Sequence, residues 1–114
     1  MATKNKEGKM PLLSLSFNVY NEEKNLEKVY RECRDILKKA KISHEIIFVE
    51  GGSTDNSWKI LQNLAKKNKD CRIFRTEMEP GKKVNKGMKV ARGKYFGYLC
   101  SDGQDNPNVL PKFI

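Results

Sequence analysis

Apolar and polar residues change period several times along this chain, and each change marks an element. Leu13, Leu15, Phe17 and Val19 alternate with Ser14, Ser16 and Asn18. Period two predicts a strand with one apolar face, ending at Asn21-Glu22 where turn residues begin. From Asn25 to Ala40 the period is helical. Leu26, Val29, Tyr30, Cys33, Ile36 and Leu37 form one stripe, and Lys28, Arg31, Asp35 and Lys39 lie opposite. Asn21 is a residue type suited to cap that helix. His44 to Glu50 contains the unbroken run Ile46-Ile47-Phe48-Val49, the pattern of a strand buried on both faces. Gly51-Gly52-Ser53-Thr54-Asp55 supplies a turn and a helix start. The second helix runs from about Asp55 to Lys67 with Trp58, Leu61, Leu64 and Ala65 inward. Arg72 to Arg75 is a short third strand, and Thr76 to Gly81 a loop. A third helix spans about Lys82 to Ala91, with Val84, Met88 and Ala91 inward and Lys82, Lys86 and Lys89 on the opposite face. Tyr95 to Cys100 is a fourth strand, expected to be buried. Asp102 to Pro107 is a polar turn, and a further helix is expected from Asn108.

Strands alternating with amphipathic helices imply an α/β fold with a parallel sheet and right-handed crossovers. The 114 residues set an expectation of one domain or less. Residues 1–10 are polar and lysine-rich and read as a disordered basic tail, leaving 11–114 as the folded part. Because the chain stops as a new element begins, it reads as a fragment. The longest purely aliphatic or aromatic run is Ile46 to Val49, far short of the roughly 20 residues a membrane span needs. The start of the chain lacks the apolar stretch of a secretory signal. Cys33, Cys71 and Cys100 are an odd set without metal-ligand spacing, which argues for a reducing compartment and for buried free thiols at Cys33 and Cys71. A cytoplasmic location follows as the expectation.

Ligands of open parallel sheets bind beyond the carboxyl ends of the strands. Three such ends here are rich in polar groups: Asn18 to Glu22, Glu50 to Asp55, and Cys100 to Asp105. Gly51 and Gly52 permit close backbone approach to a ligand. The G-x-G-x-x-G dinucleotide fingerprint is absent, and Gly81-Lys82 lacks the remaining residues of a phosphate-binding P-loop. Asp102 and Gln104, two apart, offer a carboxylate and an amide carbonyl, hard oxygens suited to Mg²⁺ or Mn²⁺. Lys82, Lys83, Lys86, Lys89, Arg92 and Lys94 follow one another with no acid between them. They can attract phosphates or an anionic membrane surface. The net charge of +9 also raises nucleic-acid binding, but no RNA-binding motif appears and Tyr95, Phe96 and Tyr98 lie in a strand expected to be covered. His44 receives no role.

The polar ends resemble a known family. Asn18-Val19-Tyr20-Asn21-Glu22 resembles the Pro-x-Tyr-Asn-Glu start of family 2 glycosyltransferases. Val49-Glu50-Gly51-Gly52-Ser53-Thr54-Asp55 resembles their Val-Asp-Asp-Gly-Ser-x-Asp turn. Asn85-x-Gly87-x-x-x-Ala91-x-Gly93 matches their Asn-x-Gly-x-x-x-Ala-x-Gly helix, and Cys100-Ser101-Asp102-Gly103-Gln104-Asp105-Asn106-Pro107 resembles the Asp-x-Asp-x-Gln-Asp-Pro stretch of the dolichol-phosphate mannose synthase branch. The resemblance implies a Rossmann-like open parallel sheet of the GT-A type, truncated to its nucleotide-sugar-binding part. It implies that the backbone near Asn18, with Tyr20 and Glu22, holds base and ribose. Glu50 then takes a carboxylate role toward the nucleoside, in one turn with Gly52 and Ser53. Asp102 and Gln104 bind the Mg²⁺ or Mn²⁺ that bridges the diphosphate, and any catalytic base lies beyond Ile114. The implied partners are a UDP- or GDP-sugar and a polyprenyl phosphate or other glycan or lipid acceptor, with peripheral contact at the cytoplasmic face of a membrane and no nucleic acid. Three departures stand out: Asn18 replaces Pro, Glu50-Gly51 replaces two consecutive Asp, and Cys100 replaces the first Asp of Asp-x-Asp. They raise a non-catalytic relative as the competing reading.

Overall fold

The computed structural model describes residues 10–77 and 81–100. The elements are β1 (Leu13–Val19), α1 (Leu26–Lys39), β2 (His44–Glu50), α2 (Ser57–Lys67), β3 (Cys71–Arg75), α3 (Lys82–Val90) and β4 (Tyr95–Cys100). All pairings are parallel, and the order across the sheet is β3-β2-β1-β4. Val19 pairs with Glu50 and Glu50 with Arg75, so β1, β2 and β3 finish in one row. Cys100 pairs with Asn18, which brings the end of β4 to the same rim. The expected basic tail lies almost entirely outside the described residues, as do the turn at Asp102–Pro107 and the helix from Asn108.

One face of the sheet carries the main core. Leu13, Leu15, Phe17 and Val19 of β1 and Ile46 and Phe48 of β2 pack against the apolar stripes of α1 and α2. The Phe17 and Phe48 rings stack with centroids 5.4 Å apart. Each fully buried side chain of this size contributes roughly 1.5–3 kcal/mol. Cys33 and Cys71 are free and buried in this layer, and burial pushes both thiols up to about 12. Ile47 and Val49 are buried on the other face, so β2 is covered on both sides as its unbroken apolar run predicts.

The second face is closed by α3, and here the sequence pattern misleads. Ser14 and Ser16, the polar side of β1, are fully buried. The reason is Gly87: a Cβ added there would lie 2.2 Å from Ser16 Oγ, so α3 rests on β1 with no side chain between them. With Gly87 as the contact point, its neighbour Met88 faces water at 56% exposure instead of joining the core. Lys86, expected outward, is half-buried with its ammonium 5.6 Å from the Phe74 ring centroid. Trp58 is half-buried at the margin of the core. Tyr95 and Tyr98 are exposed, against expectation, because β4 has no outer neighbour among the described residues.

Two polar networks hold the rim opposite the strands' carboxyl ends. Glu45 is fully buried. Its carboxylate accepts hydrogen bonds from the Ser14 hydroxyl (2.5 Å), the Arg92 N–H (2.7 Å) and Arg72 Nη1 (2.8 Å). Arg72 Nη1 also donates to the Val90 carbonyl at 2.8 Å, and the Gly93 N–H donates to Ser14 Oγ at 2.7 Å. The carboxylate thus fastens the last turn of α3 and the chain entering β4. In the second network Asp70 accepts from the Tyr30 hydroxyl at 2.5 Å and from His44 Nε2 at 2.9 Å. His44 Nδ1 lies 3.0 Å from the Ile42 carbonyl oxygen, so His44, given no role from sequence, ties α1, β2 and the turn before β3 together. Burial raises the Asp70 pKa, but the hydrogen bonds from His44 and Tyr30 outweigh it and hold the carboxyl below its usual range.

Glu45→Ala leaves the buried N–H and guanidinium donors without their acceptor. It is expected to cost about 3 kcal/mol, read as a lower urea midpoint, with faster amide exchange over α3; an unchanged midpoint contradicts the latch. For Asp70, the folded pKa lies below the unfolded one. Its contribution is therefore full above about pH 4 and is lost as pH falls through the folded value. Asp70→Asn should flatten the fall of the urea midpoint below about pH 4, and an unaltered slope there contradicts this account.

Candidate functional site

The carboxyl rim is built by two loops that bond each other. After β1 the chain turns at Asn21, whose φ of 49 lies in the left-handed region that asparagine tolerates. Asn21 does not cap α1, which starts only at Leu26 after a turn closed by the Glu22 carbonyl. Its Oδ1 instead accepts the Thr54 N–H at 2.8 Å and the Asp55 N–H at 3.3 Å. In return the Asn21 N–H donates to Ser53 Oγ (3.0 Å), the Glu22 N–H to Ser57 Oγ (2.9 Å) and the Glu23 N–H to Asp55 Oδ2 (3.2 Å). The β1–α1 and β2–α2 loops are thereby one structural piece. Asn21 to Asn25 and Asp55 line a cavity of about 350 Å³ between them.

Glu50 closes the turn from inside. Its side chain is almost wholly buried at 1% exposure. Oε2 accepts the Ser53 N–H at 2.6 Å, and Oε1 accepts Arg75 Nε at 2.8 Å. Burial raises its pKa, yet Arg75 and the Ser53 N–H outweigh that and hold the carboxyl low, so it is a carboxylate at neutral pH. The Arg75 guanidinium lies 4.4 Å from the Trp58 ring centroid and is more than half exposed. Pinned by Glu50 through Nε and stacked on Trp58, it is aligned at the rim with its remaining N–H groups.

On the α3 side of the rim stand Tyr20, Asn18 and Lys83. Tyr20 is 44% exposed, and Lys83 Nζ lies 5.4 Å from its ring centroid. Asn18 Nδ2 donates to the Tyr98 hydroxyl at 2.7 Å, linking β1 to β4. Gly51 is buried beneath Lys83: a Cβ there would come within 2.8 Å of Lys83 Cε and 3.0 Å of the Thr76 carbonyl oxygen. Gly52, exposed with φ 79, carries the turn outward.

Asn18, Tyr20, Glu22, Glu50, Gly52 and Ser53 therefore all lie along one rim. Their side chains do different things there. The Glu22 carboxylate bonds Asn25 Nδ2 at 3.0 Å within its own turn, and Ser53 joins the two loops. Asp102 and Gln104 lie outside the described residues. Among the described residues, no group of three or more His, Cys, Asp and Glu is placed to hold a metal ion. Sequence reasoning missed Arg75, and it named Lys83 only as one of six basic residues between Lys82 and Lys94. The signal for Arg75 was its place at the end of β3, two residues beyond the apolar Ile73.

With this geometry in view, the comparisons with known proteins are direct. The model of the family described as Glycosyl transferase family 2 matches residues 17–114. The chain belongs to that family. A relative, the dolichol-phosphate mannosyltransferase of Pyrococcus furiosus, is 32% identical over 104 residues, covering 90% of this chain and 29% of the relative. The crystal structure of S. aureus TarS 1-349 in complex with UDP matches with a TM-score of 0.68 at 24% identity, covering 90% of this chain and 30% of that one. The mannosyltransferase PcManGT from Pyrobaculum calidifontis, in complex with GDP-Man and Mn²⁺, matches with a TM-score of 0.56 at 22% identity, over 81% of this chain and 28% of that one. These likenesses bear out an α/β parallel sheet with flanking helices of the GT-A type. The chain spans about a third of the length of the curated relatives it matches. Among the described residues, no helix is long and apolar enough to cross a membrane.

Proposed function

We propose that residues 11–114 form the nucleotide-sugar-binding part of a glycosyltransferase that moves a sugar from a UDP- or GDP-sugar to an acceptor. The observation that carries this reading is the single rim on which Tyr20, Glu50, Ser53 and Arg75 stand, in a chain of this family. The base and ribose lie against Tyr20, the backbone near Asn18, and the turn at Glu50, Gly52 and Ser53. Glu22 and Asn21 keep that turn in place from the neighbouring loop. Arg75 offers N–H donors to acceptor atoms of the base, and its stacking on Trp58 fixes their direction.

Asp102 and Gln104 are the residues that would hold Mg²⁺ or Mn²⁺, and a hard divalent ion fits a carboxylate and an amide oxygen. When bound, such an ion offsets charge on the departing diphosphate. The acceptor proposed is a polyprenyl phosphate, a reading supported by the name of the Pyrococcus furiosus relative. Its phosphate oxygen is already anionic. It attacks the anomeric carbon as the bond from that carbon to the diphosphate oxygen breaks, with no proton to remove. The exposed lysines of α3 suit work in the cytoplasm beside an anionic membrane.

A second reading, a relative that binds without transferring, is favoured by one observation. Position 51, where the family turn has its second carboxylate, is closed off by the Lys83 stem and the Thr76 and Glu77 carbonyls.

Thermal unfolding with UDP, GDP, a UDP-sugar and GDP-mannose, each with and without Mn²⁺, separates these. The proposal expects a saturable rise in Tm with one base, reaching about 2.7 kcal/mol of stabilisation at a hundredfold excess over Kd. Asp102→Ala should abolish the Mn²⁺-dependent part and leave the metal-free part. No response to any nucleotide contradicts both readings; nucleotide binding without transfer from the full-length protein selects the second.

A further inference from the structure

We propose that the pole of the molecule opposite the strands' carboxyl ends is a docking surface for a partner protein that presents a run of carboxylates. Six lysines, Lys38, Lys39, Lys41, Lys66, Lys67 and Lys69, are exposed where α1 and α2 end. The turns that follow are fixed at that pole. The Leu12 N–H, entering β1, donates to the Ser43 carbonyl at 3.1 Å, and the Ile46 N–H of β2 donates to the Asp70 carbonyl at 2.7 Å. The 2.9 Å bond from His44 Nε2 to Asp70 then ties the turn after Lys41 to the turn after Lys69, so the two groups of lysines form one surface. Acids nearby are already engaged. Asp70 accepts from His44 and from the Tyr30 hydroxyl, and Asp35, one turn before Lys38 and Lys39, pairs with Arg34 at 3.4 Å. Among the described residues none of the six lysines takes part in a salt bridge. Residues 1–9, which lead into β1, bring three lysines and one glutamate.

Lysines in the last turn of a helix complement its dipole, which accounts for Lys38, Lys39, Lys66 and Lys67. It does not account for the other two. Asn68 closes α2, its N–H and its Nδ2 both donating to the Leu64 carbonyl at 3.0 Å, and Lys69 lies beyond that cap. Lys41 has a φ of 58, and here the Lys41 and Ile42 N–H groups close α1 on the Lys38 and Leu37 carbonyls at 3.0 and 2.9 Å. Glycine is the residue this left-handed turn favours, and a side chain there is strained. A charge kept in a strained place points to a use for the charge. Composition and position select the occupant. From 38 to 41 and from 66 to 69 the exposed side chains are the lysines and Ala40, with no aromatic or large apolar group to enter a bilayer or stack on bases. β2, seven residues long, holds this pole about 20 Å from the carboxyl rim. A bilayer here would stand away from the rim at which the proposed polyprenyl phosphate must react, whereas a protein here leaves that rim open. Lysines without an aromatic or arginine anchor steer an acidic partner in and hold it weakly, giving a fast, salt-sensitive complex.

Octaglutamate is the probe for such a partner, with phosphatidylserine vesicles and a DNA duplex as the competing classes, each titrated into the full chain and read by amide chemical shifts. No nucleotide is involved, so the result does not depend on the function proposed for the rim. Octaglutamate should shift residues 38–43 and 66–70 together, and should bind several-fold more weakly at about 0.2 M than at about 0.05 M salt. Lys38→Gln, Lys41→Gln and Lys69→Gln combined should weaken it by about fivefold or more. The charge-matched combination of Lys28→Gln, Arg31→Gln and Lys59→Gln, at exposed sites elsewhere, should leave it within about twofold. Lys41→Gly should weaken octaglutamate by about twofold and yet raise Tm by about 3 °C, because glycine relieves the strained φ. Equal losses in the two combined variants reduce the effect to net charge and overturn the surface, as does the absence of shifts at this pole. Vesicles or duplex that shift the same residues at lower concentration than octaglutamate overturn the protein partner. An unraised Tm in Lys41→Gly overturns the assignment of Lys41 to the surface.

Discussion

Glu50 is almost wholly withdrawn from water, and its two oxygens serve different parts of the chain: Arg75 at the end of β3, and the Ser53 N–H in the turn toward α2. A buried carboxylate is tolerable only while both are present. That requirement fixes the turn after β2, and Asn21 carries the same constraint to the loop after β1 through the Thr54 and Asp55 N–H groups. The parallel register does the rest, since Val19, Glu50 and Arg75 share one row. Remove the carboxylate and three strand ends lose their common reference.

The opposite rim works by the same physics to a different end. Glu45, also buried, holds the last turn of α3 through Arg72 and the Arg92 N–H. Gly87 lets that helix rest directly on β1. Together they set the height of α3 over the sheet, and therefore where Lys83 in its first turn reaches. A family signature that reads as glycine and alanine spacing is, in this molecule, a packing specification that positions a cation some distance away.

Much of the fold is legible because it is local. The alternation of Leu13 to Val19, the apolar run Ile46 to Val49 and the stripe of α1 each follow from one element's own period. The facing of α3 is not, because its contact residue is Gly87, which has no hydrophobicity to register, and Met88 beside it draws attention to the wrong side. The capping role given to Asn21 fails for a related reason: its partners, Thr54 and Asp55, are 33 and 34 residues away. Glu45 looks like any acid at a strand entry until Ser14, Arg72 and Arg92 are brought to it from separations of 31, 27 and 47 residues. For the site, Tyr20, Glu50 and Ser53 were legible through motif order. Arg75 belongs to no motif, and only the sheet register reveals it; Lys83 is one basic residue in a run of six until the close approach of its stem to Gly51 sets it apart.

The account turns on separate loops forming one nucleotide surface. Its most direct test is an amide chemical-shift map of the full chain titrated with UDP and GDP. The account predicts that one nucleotide shifts Asn18 to Glu22, Glu50 to Ser53, Arg75 to Glu77 and Lys83 together with a single affinity, while Glu45, Asp70 and their partners stay still. Shifts confined to the lysine-rich face of α3, or centred on the Glu45 rim, would contradict it.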